Sequence, residues 1–248
     1  MVQRRSFLQY AFAAALLPLP PAAEAGGLPA AFATQLQQAL AKSLNDAALA
    51  ARLAPVILDV GFTWDPPSQP ASTFQTIIAY SFGNRPALQG ERDPAPGPIN
   101  EELAAAVVEA HRRSGAPVIF AQWEIASFLR NQTGMEVVAI NPVVGVDHSV
   151  QYLSTDGVAA AAVEHAGGAL KLGRVCVIGH HDHVKRCVET SRLRGMEAWA
   201  MEGLVLPADY DTKSDQLWTR SRETYLIHDM AAQLMMIRAE RIEAETRV

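Results

Sequence analysis

The sequence predicts an α/β fold in three layers, Rossmann-like, with a mostly parallel sheet and helices on both faces. Three observations lead there. Short apolar runs recur along the chain, at 74–82 (FQTIIAYSF), 117–122 (PVIFAQ), 136–140 (EVVAI) and 174–178 (RVCVI). Strands covered on both faces read as such near-continuous runs. Longer stretches with helical spacing separate several of them, and this alternation of strand and helix is the mark of a parallel sheet. Glycines stop two of these helical stretches, at Gly115 and Gly195, where a left-handed turn residue is expected.

Residues 1–25 read as a secretory signal of twin-arginine type. Arg4 and Arg5 open the pattern R-R-x-F-L, a short apolar run follows, and Ala23 and Ala25 supply the small residues of a cleavage site. The apolar run is too short to span a bilayer, which needs about 20 residues. The expected location is periplasmic, with a retained inner-membrane anchor as the alternative. A membrane is a partner only in that second case.

Residues 26–53 form an expected helix. Leu28, Phe32, Leu36, Leu40 and Leu44 make one stripe that packs on the domain. Residues 54–248 are expected to be a single α/β domain. In it, 54–61 (APVILDVG) is a strand candidate and 63–72 a proline-broken loop. After the strand at 74–82 comes a long loop at 83–98, rich in Pro and Gly, of the kind that is commonly functional. Asn100 is the expected cap of a helix at 101–113. The strand at 117–122 leads to Trp123, Glu124 and a short helix, and the strand at 136–140 follows. Ser154 or Thr155 caps an Ala-rich helix at 157–172. Then come a strand at 174–178, a polar turn at 179–183, a helix at 184–194 and a strand at 197–206. A last helix at 218–241 buries Tyr225, His228, Met230, Leu234 and Ile237.

The usual doubly wound order places the strand at 74–82 beside that at 174–178. The winding reverses between them and opens a crevice at their carboxyl ends, where such folds bind ligands. The loop at 83–98 and the turn at 179–183 face it. That turn holds three of the seven histidines, His180, His181 and His183, together with Asp182.

Three chemistries suit the turn. His183 and Arg186 are three apart at a helix N-terminus, where backbone N–H groups and a planar guanidinium hold anions. Arg85 and Asn84 approach from the other loop, and Trp123, Glu124, Ser154 and Thr155 complete the expected lining. The structural alternative is that Arg186 pairs with Glu189 or Asp182 and braces the fold. General acid–base work would pair His183 with Asp182 or Glu124. A metal would use His180, His181, Asp182 and His183, with His148 or His228 to complete the set. No H-E-x-x-H, G-x-S-x-G or G-x-G-x-x-G motif is present, and no cofactor is implied. The formal net charge of −5 argues against a nucleic-acid partner. The two cysteines, Cys176 mid-strand and Cys187 in the next helix, read as free thiols.

The run VCVIGHHDHVKRCVETSRLRGMEAW resembles the SanA/ElyC/YdcF family of bacterial envelope-associated proteins, whose strand leads into a turn, His-x-x-Arg, a helix, Gly and a further strand. On that pattern the family's His and Arg are His183 and Arg186, and Ser154-Thr155-Asp156 resembles its Ser/Thr-acidic element. The resemblance spans about residues 74–237. Ser81-Phe82-Gly83-Asn84-Arg85 and Ala121-Gln122-Trp123 depart from the family's Gly-rich turns, which implies a pocket of different shape. It implies an exported α/β protein binding a small anionic ligand or cell-envelope precursor, phosphate- or nucleotide-like. A histidine-metal-dependent hydrolase and a non-catalytic envelope scaffold stand as alternatives.

Overall fold

The computed structural model describes residues 29–89, 94–130, 134–144 and 150–246. The segment behind the export reading, residues 1–25, and His148 lie outside them. The chain divides into two units, 1–63 and 64–248.

The first unit is a helical hairpin of α1 (Ala30–Leu44) and α2 (Ala47–Phe62). Asn45 ends α1 in a left-handed conformation, and the Asp46 side chain caps α2 by accepting from the Leu49 N–H. Phe32 on the apolar stripe of α1 meets Phe62 of α2 edge-on, with ring centroids 5.1 Å apart. The strand expected at 54–61 is a correction: those residues form the second half of α2, which runs through Pro55. An apolar run of eight looks the same in a strand and in a packed helix.

The second unit begins with β1 (Ser68–Gln69) and β2 (Thr76–Ala79). It continues with α3 (Pro98–Ser114), β3 (Val118–Gln122), α4 (Trp123–Leu129) and β4 (Glu136–Ile140). A small antiparallel ribbon of β5 (Val143–Val144) and β6 (Val150–Gln151) follows. Then come α5 (Thr155–Ala166), β7 (Arg174–Ile178), α6 (Val184–Leu193), β8 (Glu197–Met201) and α7 (Arg222–Thr246). Six strands form one sheet in the order β1-β8-β7-β2-β3-β4, and every pairing in it is parallel. The chain winds outward from β2 through β3 to β4, then returns to the other side of β2 with β7 and β8. The reversal lies between β2 and β7, as the sequence predicts.

Alternating side chains sort the core into two layers. Ile77 and Ala79, Ile119 and Ala121, and Cys176 and Ile178 face a layer built with Leu103 and Val107 of α3 and Ile125 of α4. Ile78, Tyr80, Phe120, Val175 and Val177 face the opposite layer, with Val158 and Ala162 of α5 and Val188 of α6. The two thiols are free because they belong to opposite layers, Cys176 to the first and Cys187 to the second. Among the described residues no helix is long and apolar enough to cross a membrane.

Several boundaries differ from the sequence expectation. Asn100 is not a cap. The α3 helix starts at Pro98 after Gly97, and the buried Asn100 side chain instead accepts from the Phe82 N–H and donates to the Gly83 and Pro96 carbonyls. A proline at the first helical turn is favourable, which extends the helix past the expected start. The Ser154 side chain does cap α5, accepting from the Gly157 N–H. β8 stops at Met201 and a turn follows. The proline-broken loop includes β1, which pairs with β8. The buried side of α7 is Tyr225, Asp229 and Gln233, whereas Leu234 is 47% exposed.

Gly83, in the turn after β2, has φ +68°, and a Cβ there would lie 2.6 Å from Ser214 Oγ and 2.7 Å from Thr219 Oγ1. Gly115 shares φ +68° but has open space around it. Gly115→Ala should therefore cost about 1 kcal/mol for backbone strain alone, and Gly83→Ala roughly 2–4 kcal/mol because contact with the 214–219 loop adds to it. Denaturant unfolding of both variants checks this; equal losses would mean that the loop yields freely.

Candidate functional site

The carboxyl ends of β2, β3 and β7 carry the expected residues, but the structure partners them in its own way. Arg186, in the first turn of α6, is 9% exposed. Its Nε donates to Asp229 Oδ1 at 2.6 Å, Nη1 to Thr155 Oγ1 at 2.9 Å and Nη2 to the Tyr225 hydroxyl at 3.3 Å. Gln233 Nε2 donates to the other Asp229 oxygen at 2.7 Å. Arg186 thus braces α5, α6 and α7, and its partner is Asp229, a residue the sequence reading did not single out, rather than Glu189 or Asp182. Burial pushes the Asp229 carboxyl up, but His183 and Arg186 beside it outweigh that and hold it well below the usual range.

His183 is buried against the same carboxylate. Its Nδ1 lies 3.5 Å from Asp229 Oδ1, yet the atom has no hydrogen-bond partner among the described residues. At that length the two atoms are neighbours and not a well-formed hydrogen bond. Burial and then the Arg186 charge lower the His183 pKa to about 4, which leaves the ring neutral near pH 7.

His180 is fully buried, and burial lowers its pKa also to about 4. Its ring stacks on Phe82 with centroids 3.8 Å apart, and Tyr210 and Tyr225 meet Phe82 edge-on. These four rings fill the space where the β2–β7 crevice was expected to open.

Asp182 pairs with His181 and not with His183. His181 Nδ1 is 3.1 Å from Asp182 Oδ1, and the His181 side chain is 51% exposed. Tyr210 donates its hydroxyl to Asp182 at 2.7 Å, and Arg222 donates Nε and Nη2 at 2.9 and 3.0 Å. Burial raises the Asp182 pKa, but these donors outweigh it, and the net shift is downward. The acid–base pair that the turn can form is therefore His181–Asp182, two residues before the one expected.

The remaining predicted residues fall into two groups. Arg85 is held by Asp211 through Nε at 2.7 Å and Nη2 at 3.1 Å. Buried Asn84 bonds the Arg85 carbonyl and accepts from Gln216. Ser154 and Thr155 serve the α5 cap and Arg186. Trp123 and Glu124 open α4 at the end of β3. Glu124 is 1% exposed. Burial raises its pKa to about 7, offset only in part by its own backbone N–H and the Ser81 hydroxyl. Trp123 Nε1 and Glu124 Oε2 are buried without hydrogen-bond partners among the described residues.

Among the described residues no three His, Cys, Asp or Glu side chains converge in a way that would hold a metal ion. His228 stacks on Trp218, with centroids 5.1 Å apart. Burial raises the Cys187 thiol pKa far above its ordinary value, so this thiol is not a nucleophile despite its place one turn from His183. Comparison of the chain with protein-family models, with curated proteins and with solved structures gives no match.

Two outcomes follow. Arg186→Ala and Asp229→Asn should each destabilise by about 3–5 kcal/mol, since each strands a buried charge or donor set, and the double variant should lose far less than their sum. Arg186→Lys should not restore the loss, because lysine lacks the planar fork. A double-mutant cycle by denaturant unfolding measures this, and small additive losses would contradict the brace. The second outcome concerns Glu124. The unfolded chain releases this proton near pH 4.5 and the folded chain near 7, so the unfolded state binds fewer protons in that window and stability falls as pH rises through it. His180 and His183, with lowered pKa values, act in the opposite sense between about pH 4 and 6.5. The difference between wild type and Glu124→Gln isolates the carboxyl: the variant should gain roughly 2–3 kcal/mol relative to wild type between pH 5 and 7.5. A pH-independent difference would place the Glu124 titration elsewhere.

Proposed function

We propose that the chain is an exported α/β protein of the SanA/ElyC/YdcF kind that acts in the cell envelope. In this reading it binds a small anionic molecule or envelope precursor, phosphate- or nucleotide-like, at the carboxyl edge of its sheet. The supporting observation is the pair of buried polar atoms on the turn after β3 that have no hydrogen-bond partner among the described residues, Trp123 Nε1 and Glu124 Oε2. Buried polar groups are otherwise nearly always hydrogen-bonded, because leaving one bare costs about 1–3 kcal/mol. Trp123 Nε1 is a donor only, and Glu124 is a protonated acid up to about pH 7 and then also donates. Donors of this kind match the oxygens of an anion without any free guanidinium. The paired Arg4 and Arg5 support export.

A second reading, a non-catalytic envelope scaffold, is favoured by the rings that fill the crevice and by the carboxylates that already neutralise Arg85 and Arg186. Calorimetric titration with inorganic pyrophosphate and with a nucleoside diphosphate separates the two. Binding by the wild type is expected, weakened about tenfold in Trp123→Phe, which keeps an aromatic side chain and loses the donor. A folded protein that binds neither probe is the scaffold.

A further inference from the structure

A second feature of the carboxyl edge lies away from the β2–β7 crevice. Beyond the ends of β7, β8 and β1 a recess of ≈ 310 Å³ is lined by Trp64, Asp65, His181, Met201, Glu202 and Leu206, among others. Its chemistry differs from that of the crevice. Asp65 and Glu202, two exposed acidic residues, are among its lining residues, and no Lys or Arg is. Arg113 reaches Glu202 but gives its Nη2 to the backbone carbonyl, at 2.6 Å, and not to the carboxylate. Arg222 is bound to the Asp182 carboxylate through two nitrogens.

His181 adds an acceptor. Asp182, a carboxylate already bound by Tyr210 and Arg222, can only accept, so His181 Nδ1 donates to it at 3.1 Å, and in the neutral imidazole the lone pair lies on Nε2. The imidazole is thus held in one tautomer, with Asp182 itself fixed by Tyr210 and Arg222. Trp64 offers an aromatic surface, the side-chain type that best attracts a positive charge. Met201 and Leu206 give apolar wall. A recess whose lining includes two acidic residues, a histidine and a tryptophan but no Lys or Arg disfavours anions and suits a ligand with both a positive head and a hydrocarbon part.

We propose that this recess binds a small organic amine in its ammonium form. The charged head sits by Asp65 and Glu202 and donates to His181 Nε2, and the carbon chain lies against Trp64 and Met201. The site is separate from the proposed anion site and stands independently of it.

The full-length protein is titrated by calorimetry with n-butylammonium chloride, n-butanol and sodium butyrate at constant ionic strength, and the His181 ring signals are followed by NMR. Saturable binding of n-butylammonium that shifts those signals is expected, with n-butanol at least about tenfold weaker and butyrate unbound. Glu202→Gln and Asp65→Asn alter exposed side chains, so folding is retained, and each should weaken n-butylammonium about threefold. Butyrate or n-butanol binding as well as the amine, or an affinity untouched by both substitutions, overturns the proposal. Competition from pyrophosphate overturns it too. Loss of amine binding with pyrophosphate binding intact sinks this site alone, and the converse sinks only the anion reading.

Discussion

The Asp229 carboxylate is buried on α7 and is bound by Arg186, Tyr225 and Gln233, with His183 at its side. A charge in that position is stable only while its partners stay in place, since an unpaired buried ion costs several kcal/mol. The constraint propagates outward. Arg186 must remain turned inward, so it also fixes Thr155 at the start of α5. Tyr225 must present its hydroxyl to the pair, which sets its ring edge-on to Phe82. Phe82 in turn stacks on His180. One ion pair thereby determines which side chains occupy the switch point of the sheet.

The electrostatics of the edge follow from pairing. Arg85 meets Asp211, Arg186 meets Asp229 and Arg222 meets Asp182, each a guanidinium against a carboxylate. With these guanidinium charges cancelled locally, the carboxyl edge carries the unpartnered Trp123 Nε1 and Glu124 Oε2 after β3, and the acidic residues Asp65 and Glu202 at the recess beyond β8.

Five of the six strands of the sheet were legible because covered strands must be apolar on both faces and runs such as Ile77–Ala79 and Val175–Ile178 are short and bounded by turns; β1 was hidden in a proline-broken loop. The reversal at β2 and β7 followed from strand order. Residue 54–61 was misread because an apolar octet has no period that tells strand from helix. The buried face of α7 escaped for a different reason. A search for apolar stripes selects Met230, Leu234 and Ile237, yet the face that goes inward carries Asp229 and Gln233, which are tolerated only because Arg186 comes to meet them. The histidine turn was visible as a cluster, but its wiring was not. Whether Asp182 serves His181 or His183 depends on Tyr210 and Arg222, which lie far along the chain. A single sequence carries no record of such remote pairs.

The shortest strand has a consequence for how the molecule is made. β1 forms the edge of the sheet by pairing Ser68 with Ala200 and Gln69 with Met201. A ribosome delivers Ser68 and Gln69 long before their partners exist. β2 waits likewise for β7 on one side, though β3 reaches it early on the other. During synthesis a β2-β3-β4 half-sheet can assemble first, with its β7-facing edge bare. Closure comes only when the C-terminal third emerges and inserts β7 and β8 between two segments already made. Such long-range parallel pairing is slow. The nascent chain therefore has an open, adhesive edge from the completion of the half-sheet until β7 docks on β2, and α7, which delivers Asp229, is added only after that edge is covered.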